Sequence, residues 1–589
     1  MITPMKKVTF VGLEAEKDRF IQRLQEVGVT HLILPKEAVE AQDLARELQR
    51  TTETRKILAK KGTRGIPEKK LDHREVCSKR EEMGQLETRL LAEIVSLKKE
   101  RTLAEPWGEF SVGDLAALHR KGVQVQFFRV PRKIFESLAL DKVCYQVTQE
   151  SDSEICLVTF SLEPVQLGIQ PERPPHKSWA EVEREIACKQ AKLQELDKEY
   201  AALAEHLEGL ERAETELNDL LEYRRAVLNA RFELDNRLFI LQCWSPVPAE
   251  ELISKIGPSF VVHHYTEEPK ADDRVPVLLA NPPAFNSGED LIRVYSYPNY
   301  REFDPSPLVL YWFALFFGMI IGDAGYGFVM LGLALYLKKK VRSRSPFAIR
   351  FFRLMYILSV SVVFFGVISA SYFGMNLRKG NPLLKLGFLD FNSPEGQNEI
   401  MLLSIFLGMI HLTLAHAIKL VRQRAYSSIG WILAIWSGYF LVSGLLGKGE
   451  KDTLALTGFL VGLFLVFFFN SQGKHVLVRI GLVFPGLLDV STLFADILSY
   501  LRLFALGVAT VYMAQTFNML ADSVSQSVPV IGYVFAGLIL FAGHGLNIAM
   551  GIMGGVIHGL RLNFLEWYRW CFEGDGLPFR PFQRVSERR

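Results

Sequence analysis

The stretch SYLRLFALG, Ser499 to Gly507, sets the guanidinium of Arg502 inside an apolar run with no acidic residue among its immediate neighbours. At mid-membrane depth such a charge costs roughly 2.5–3.5 kcal/mol on insertion scales. Arginine cannot lose its proton at any accessible pH, so the chemistry open to Arg502 is to hold an anion or to favour the ionised form of a carboxyl group. A second polar set follows: His544, Asn547, Gly551, Gly554, His558 and Arg561 recur at helical spacing in a run otherwise built from Leu, Ile, Met and Phe. Two arginines on adjacent long helices, each on a face of small or polar residues, point to an aqueous or ion-linked path. Plainer readings exist for each. Arg561 could snorkel to the interface, Arg502 could pair with Asp496 or Asp489, and a glycine stripe could be a packing surface. The face around Arg502 holds Ala495, Ser499, Leu506 and Ala509, mostly small enough for close approach by another helix.

The elements that must position these residues fall into two halves. Residues 1–300 are rich in Glu, Lys, Arg and Gln, whereas 306–566 are dominated by Leu, Phe, Ile, Val and Gly in runs long enough to cross a bilayer. A net charge of +3 over 589 residues gives no case for nucleic-acid binding. The opening MITPMKKVTF lacks the apolar core of a signal peptide, so the N-terminal half is expected to be cytoplasmic. Six scattered cysteines without C-x-x-C spacing read as free thiols, with no metal site and no cofactor expected.

In the polar half, residues 6–34 read strand, helix, strand. A long helical segment covers about 37–103 with a break at GTRGIP, its second part carrying Met83, Leu86, Leu90, Ile94 and Leu97 on one stripe. A mixed α/β stretch follows. A second long helix opens at Ser178, with Glu181 three residues on as a capping box, and runs to about 235. Its Leu193, Leu196, Tyr200, Leu203, Leu207, Leu210, Leu217 and Leu221 keep heptad spacing, interrupted by Glu214. The expected fold class is therefore a cytoplasmic α+β domain with a long antiparallel coiled coil over 1–305, an α-helical polytopic membrane domain over 306–567, and a cytoplasmic tail over 568–589. Nothing catalytic stands out in the first part; His263 and His264 are adjacent on a β-like run, which is poor spacing for a metal.

The run Pro307–Leu337 is followed by KKKVRSR, which a single crossing would place outside, against the positive-inside rule. A tight hairpin at GDAGYG, with Gly322, Asp323, Gly325 and Gly327 at the turn, returns the chain to the cytoplasm. Asp323 is then a turn or packing residue, and the motif is no nucleotide loop because it follows no strand. Further crossings at about 351–375, 399–421, 427–447, 454–472, 489–521 and 530–567 make eight. The loops 377–398 and 448–453 lie outside, and 476–488 is interfacial. The last two crossings exceed the roughly 20 residues a perpendicular helix needs and should tilt.

YREFDPSP, FFGMIIGDAGYG, VISASYFG, SYLRLFALG, GHGLNIAMGIMGGVIHGLRLNFLEW and FEGDGLPFRPF together resemble subunit a, also called subunit I, of the vacuolar/archaeal-type rotary ATPases and their bacterial relatives, along the whole chain. The resemblance implies that Arg502 faces a rotor ring of small membrane subunits, each carrying a buried carboxylate, and that Arg561 is the second arginine of the last helix. Eukaryotic members carry a glutamate about ten residues before that arginine; here the position is Gly551. It further implies that His544, Asn547, His558, Arg561 and Ser499 line or shape two offset half-channels for H⁺ or Na⁺. The polar half would be a stator arm docked to peripheral stalks, with a central-stalk subunit at the membrane face. Such a subunit is a non-catalytic component with no ATP site, in a prokaryotic plasma membrane with both termini cytoplasmic. The competing class is a self-contained secondary transporter or channel with intramembrane arginines; it predicts internal repeats, and the sequence contains none.

Overall fold

The computed structural model describes the chain except residues 36–38, 63–64, 66–69, 136–142, 174–175, 236, 259, 342–344, 377–393, 444–452, 471–482, 528–529 and 586–589, and except the side chains of 112, 442–443, 470 and 483–487. Two compact units result. One comprises Thr9–Gln242, Leu252–His264 and Phe582–Arg589, the other Met1–Val8, Cys243–Glu251 and Tyr265–Pro581.

The elements of the polar half are β1 (Lys6–Leu13), α1 (Lys17–Val27), β2 (His31–Leu32), α2 (Gln42–Lys61), α3 (His73–Ala104), α4 (Val112–Arg120), β3 (Gln124–Pro131), α5 (Arg132–Phe135), β4 (Cys144–Glu150), β5 (Glu154–Ser161), α6 (Trp179–Ala204), α7 (Leu207–Leu228), β6 (Arg231–Glu233), β7 (Leu238–Ser245), α8 (Ala249–Ile256) and β8 (Val262–Glu267). One sheet has the order β2-β7-β1-β8, with β6 paired to β7. Phe20 of α1 meets Phe10 of β1 edge-on, ring centroids 5.1 Å apart, and this aromatic contact seats the helix on the sheet. A second, three-stranded antiparallel sheet, β3-β5-β4, packs Phe127 under Trp107.

Between these lobes the helices pair, α3 against α6 and α2 against α7. Leu58, Val76, Leu196, Tyr200, Leu203, Leu207 and Leu210 share one buried cluster, and Leu217 and Leu221 are buried too, whereas Leu193 is half-buried and Leu86 of the first stripe is exposed. Ser178 and Glu181 make the reciprocal capping box that opens α6. The single helix expected from 178 to 235 is broken: α6 ends at Ala204, and α7 begins at Leu207 after a turn at Glu205 and His206.

The apolar unit contains α9 (Asn286–Arg293), α10 (Ser306–Ile321), α11 (Ala324–Lys340), α12 (Pro346–Ile368), α13 (Pro394–Gln423), α14 (Ser427–Ser443), α15 (Thr453–Asn470), a helix at Val483–Ser499, the arginine helix Leu501–Ser527 and the final helix Ile531–Arg561. Among the described residues four stretches are long and apolar enough to cross a membrane: Pro346–Ile368, Pro394–Gln423, Leu488–Ser527 and Ile531–Cys571. The other four expected crossings fall on shorter helices, α10, α11, α14 and α15. Of the expected loops, 377–393 and 448–452 lie outside the described residues, as do 342–344 of the basic segment, 476–482 of the interfacial one, and 444–447 and 471–472 at the ends of two expected crossings.

Chain direction around the GDAGYG motif follows from four contacts with α12 and its C-cap. Ser361 Oγ donates to the Ala314 carbonyl (2.6 Å) and Ser369 Oγ to the Gly322 carbonyl (2.9 Å), so α10 and α12 run the same way. Lys338 Nζ lies over the Tyr356 ring, 5.3 Å from its centroid, while Gly327 backs onto Val363, so α11 runs against α12. The chain thus reverses at Gly322 and Asp323, and the lysines Lys338–Lys340 return to the end where α10 began. Gly322 caps α10 at φ 57°, the left-handed region that favours glycine.

Candidate functional site

Helix α10 runs antiparallel to the final helix, with Phe313 against Gly559, Phe317 against Gly555 and Ile321 near Gly551. The arginine helix also runs antiparallel to it, since Phe517 covers Gly543 and the Thr510 carbonyl accepts from Asn547 Nδ2 (2.8 Å). Glycines let these helices approach closely. The packing line is Gly543, Asn547, Gly551, Gly555 and Gly559, all buried. The stripe expected from sequence shares only Asn547 and Gly551 with it; Gly554 has no atom within 4 Å of where a side chain would start.

The sequence-derived residues separate into two clusters. In the first, Arg502 Nη2 lies 3.9 Å and Arg561 Nε 3.8 Å from the same oxygen, Oε1 of Glu566. The Glu566 side chain is 5% exposed, against 21% for Arg502 and 51% for Arg561. Arg502 Nη1 and Glu566 Oε2 are buried with no hydrogen-bond partner among the described residues, as is His558 Nδ1. His558 sits one turn before Arg561, within the field of both arginines. Ser499 is apart from this cluster: its hydroxyl is exposed and donates back to the Ala495 carbonyl (3.0 Å). Asp496 does not pair with Arg502. It accepts from Trp570 Nε1 at 2.9 Å, and the carboxylate that Arg502 meets is Glu566.

Sequence spacing alone hid Glu566. Five residues on an α-helix turn through about 500°, which sets positions 561 and 566 about 140° apart. Residues Leu562–Trp567 instead form a π-helical turn, closed by Tyr568 N–H donating to the Asn563 carbonyl five residues back. The wider turn swings Glu566 beneath Arg561.

The second cluster joins the GDAGYG turn to the final helix. Tyr326 Oη lies 2.8 Å from His544 Nδ1 and accepts from Asn547 Nδ2 at 2.9 Å. Asn518 Nδ2 donates to the Phe373 carbonyl (2.8 Å), which turns its Oδ1 towards His544 Nε2, 3.0 Å away. The bond directions follow from the donor inventory. Tyr326 donates to Nδ1, so His544 carries its proton on Nε2 and gives it to Asn518. Beneath them Asp323 is 1% exposed and accepts four bonds: Tyr326 N (3.1 Å) and Phe373 N (2.9 Å) on Oδ1, Ser371 Oγ (2.8 Å) and Gly374 N (2.9 Å) on Oδ2. Both of its oxygens are used within the fold. Gly325 abuts the Phe373 ring, where a side chain would clash.

Outside the helices, Glu302 of YREFD accepts from the backbone N–H groups of Asn299 (2.7 Å), Glu573 and Gly574, and Leu577–Pro578 pairs with Pro276–Val277. Burial pushes the Glu302 carboxyl up from its ordinary value, against the pull of those N–H donors. Among the described residues no group of three or more His, Cys, Asp or Glu could hold a metal ion.

Among the described residues, helices long and apolar enough to cross a membrane, with Arg502, Arg561 and Glu566 brought together on the last two of them, define an α-helical membrane protein. The chain is similar over 84% of its length, at 27% identity, to V-type ATP synthase subunit I of Chlamydia pneumoniae, of which it covers 84%. It is 24% identical to V-type ATP synthase subunit I of Borreliella burgdorferi over 100% of each chain, and 29% identical to A-type ATP synthase subunit I of Methanocaldococcus jannaschii over 71% of this chain and 65% of that one. No family model matches. A solved cytoplasmic N-terminal domain of subunit I, homolog of subunit a, of V-ATPase aligns over 44% of this chain and 100% of that chain at 15% identity and a TM-score of 0.21. The chain is thus similar, over most of its length, to subunit I proteins of the V-type and A-type ATP synthases.

Proposed function

We propose that this chain is the membrane stator subunit of a V/A-type rotary ATPase, which forms ion half-channels against a rotor ring and couples H⁺ or Na⁺ translocation to ATP hydrolysis or synthesis. The observation that carries the reading is Arg502: a partly exposed guanidinium within a spanning-length helix, 3.9 Å from its one charged partner and with Nη1 unused among the described residues. A carboxyl on a passing rotor subunit prefers its neutral form in hydrocarbon. Facing Arg502 it is held as the anion and releases its ion. Because the cation is fixed, it also blocks direct leakage between the half-channels, so ions cross only as the ring turns.

Eight crossings, both termini in the cytoplasm, and half-channels shaped by His544, Asn547, His558, Arg561 and Ser499 complete the reading. The paired helices α2, α3, α6 and α7 serve as the arm that resists torque through the peripheral stalks. The test is the complex reconstituted in vesicles. ATP hydrolysis that depends on H⁺ or Na⁺, with transport lost in Arg502→Gln, is the expected result. Transport by the purified chain without a rotor ring would overturn it.

A further inference from the structure

We infer that Glu566 is a positioning residue that tethers Arg502 and Arg561 to each other and yields Arg502 to each arriving rotor carboxylate; this rests on the function proposed above. Three observations carry it. One Glu566 oxygen serves both arginines, at 3.9 and 3.8 Å. Those separations are beyond hydrogen-bond length, so the attraction is charge pairing without a committed donor geometry. And each side retains an unused group, Arg502 Nη1 and Glu566 Oε2. A bidentate arginine–carboxylate fork would satisfy these atoms and bind much more tightly. The loose arrangement holds the two cations together against their mutual repulsion and leaves Arg502, 21% exposed, uncommitted to a hydrogen-bonded carboxylate.

The tether depends on the π turn. Rewound as an α-helix, 562–567 would carry Glu566 away from Arg561 and leave two arginines with no shared anion. π-bulges occur often at functional sites, and here the bulge has an identifiable product, the placement of one carboxylate between two helices. Glu566 is not itself a carrier in this scheme: its side chain is 5% exposed, against 21% and 51% for the two arginines, and the ion stays on the rotor carboxylate.

The experiment measures ATP-driven ion uptake, normalised per assembled complex, together with passive leak. Glu566→Gln keeps shape and removes charge, and uptake should fall at least fivefold with assembly retained. Glu566→Asp, shorter by one methylene, should recover at least half of that loss. Uptake unchanged in Glu566→Gln, while Arg502→Gln is inactive, overturns the tether and leaves the proposed function standing. Activity in Arg502→Gln overturns both. Should Glu566→Gln not assemble, the exchange Arg561→Glu with Glu566→Arg decides: recovery over Arg561→Glu alone supports the tether, and no recovery refutes it.

Discussion

Arg561 and Glu566 lie on one face of the final helical stretch, 3.8 Å apart, although five residues separate them. Arg502 reaches the same carboxylate oxygen from the neighbouring helix. The cluster therefore holds two cations and one anion within this chain. On the function proposed above, its net positive charge is what a rotor carboxylate would meet.

Replacing Arg502 tests that surplus. Arg502→Ala should abolish ion transport with assembly largely intact, because the side chain is partly exposed and packs no core. Arg502→Lys should be badly impaired. A lysine ammonium is a point charge that can lose its proton when desolvated, and it cannot present the same array of donors. Vesicle uptake assays beside a native gel of the complex separate the two effects; normal uptake in the alanine variant would refute the role.

Asp323→Asn is close to isosteric, yet it should be costly. Each carboxylate oxygen accepts two bonds, and an amide in that site would aim its NH₂ at two donors, either Ser371 Oγ and Gly374 N or Tyr326 N and Phe373 N. A buried donor left unmatched costs about 1–3 kcal/mol. Thermal unfolding of the detergent-solubilised chain should shift down by several degrees, and an unchanged midpoint would contradict the network.

Tyr326→Phe removes the hydroxyl that joins Asn547 and His544. His544 Nδ1 then loses its donor, and Asn547 retains only the Thr510 carbonyl. The expected loss is again about 1–3 kcal/mol, and His544→Phe should cost less in this background than in the parent, because the two residues share one interaction while the bond from His544 to Asn518 is lost in either case. A double-mutant cycle on unfolding free energy measures this; fully additive effects would mean the hydroxyl bond contributes nothing.

In the polar half, Glu47 is held below the ordinary carboxylate value chiefly by the hydrogen bond from Arg74, and Glu81 by that from Arg50. Unfolded glutamates bind protons more strongly than these two, so unfolding takes up protons as pH falls. Their stabilising contribution is fully present above the ordinary glutamate value of about 4.3 and is lost as pH drops through the lower folded values. Hydrogen exchange in α2 and α3, corrected for intrinsic pH dependence, should rise in that window. Glu47→Gln with Glu81→Gln should remove the acid-dependent part.

Periodicity and local signals made much of the architecture legible. The Ser178 capping box, the inward heptad residues of α6 and α7, and the reversal at Gly322 each follow from local rules of helix capping, helical period and glycine geometry. The misses share one physical cause, the departure of backbone or partner from what a 3.6-residue period assumes. Glu566 was visible as an acid in LNFLEW, but only the π turn brings it to Arg561. Tyr326 meets His544 across 218 residues, a distance no local rule spans. Where two glycines are adjacent, as at Gly554 and Gly555, composition cannot say which one a neighbour covers; Phe317 covers Gly555.

Gly366 offers the sharpest test of the α10–α11 reversal. It sits in α12 directly against the turn, and a β-carbon built there would stand 1.9 Å from the Ala324 backbone nitrogen and 2.5 Å from its α-carbon. The obstacle is backbone, and no side chain can rotate away to relieve it. Ala324 opens α11 immediately after Asp323, so α12 could accept a methyl group only by pushing the cap from its four donors. Overpacking a tight site costs typically about 1–3 kcal/mol, and here the lost cap bonds add to that. Gly366→Ala should therefore destabilise more than Asp323→Asn, whereas Gly332→Ala, where nothing lies within 4 Å, should be neutral or stabilising in a helix. Comparing the three unfolding midpoints in one detergent checks the ordering. A Gly366→Ala protein as stable as the parent would show that α12 does not pass as close to the turn as the structure places it.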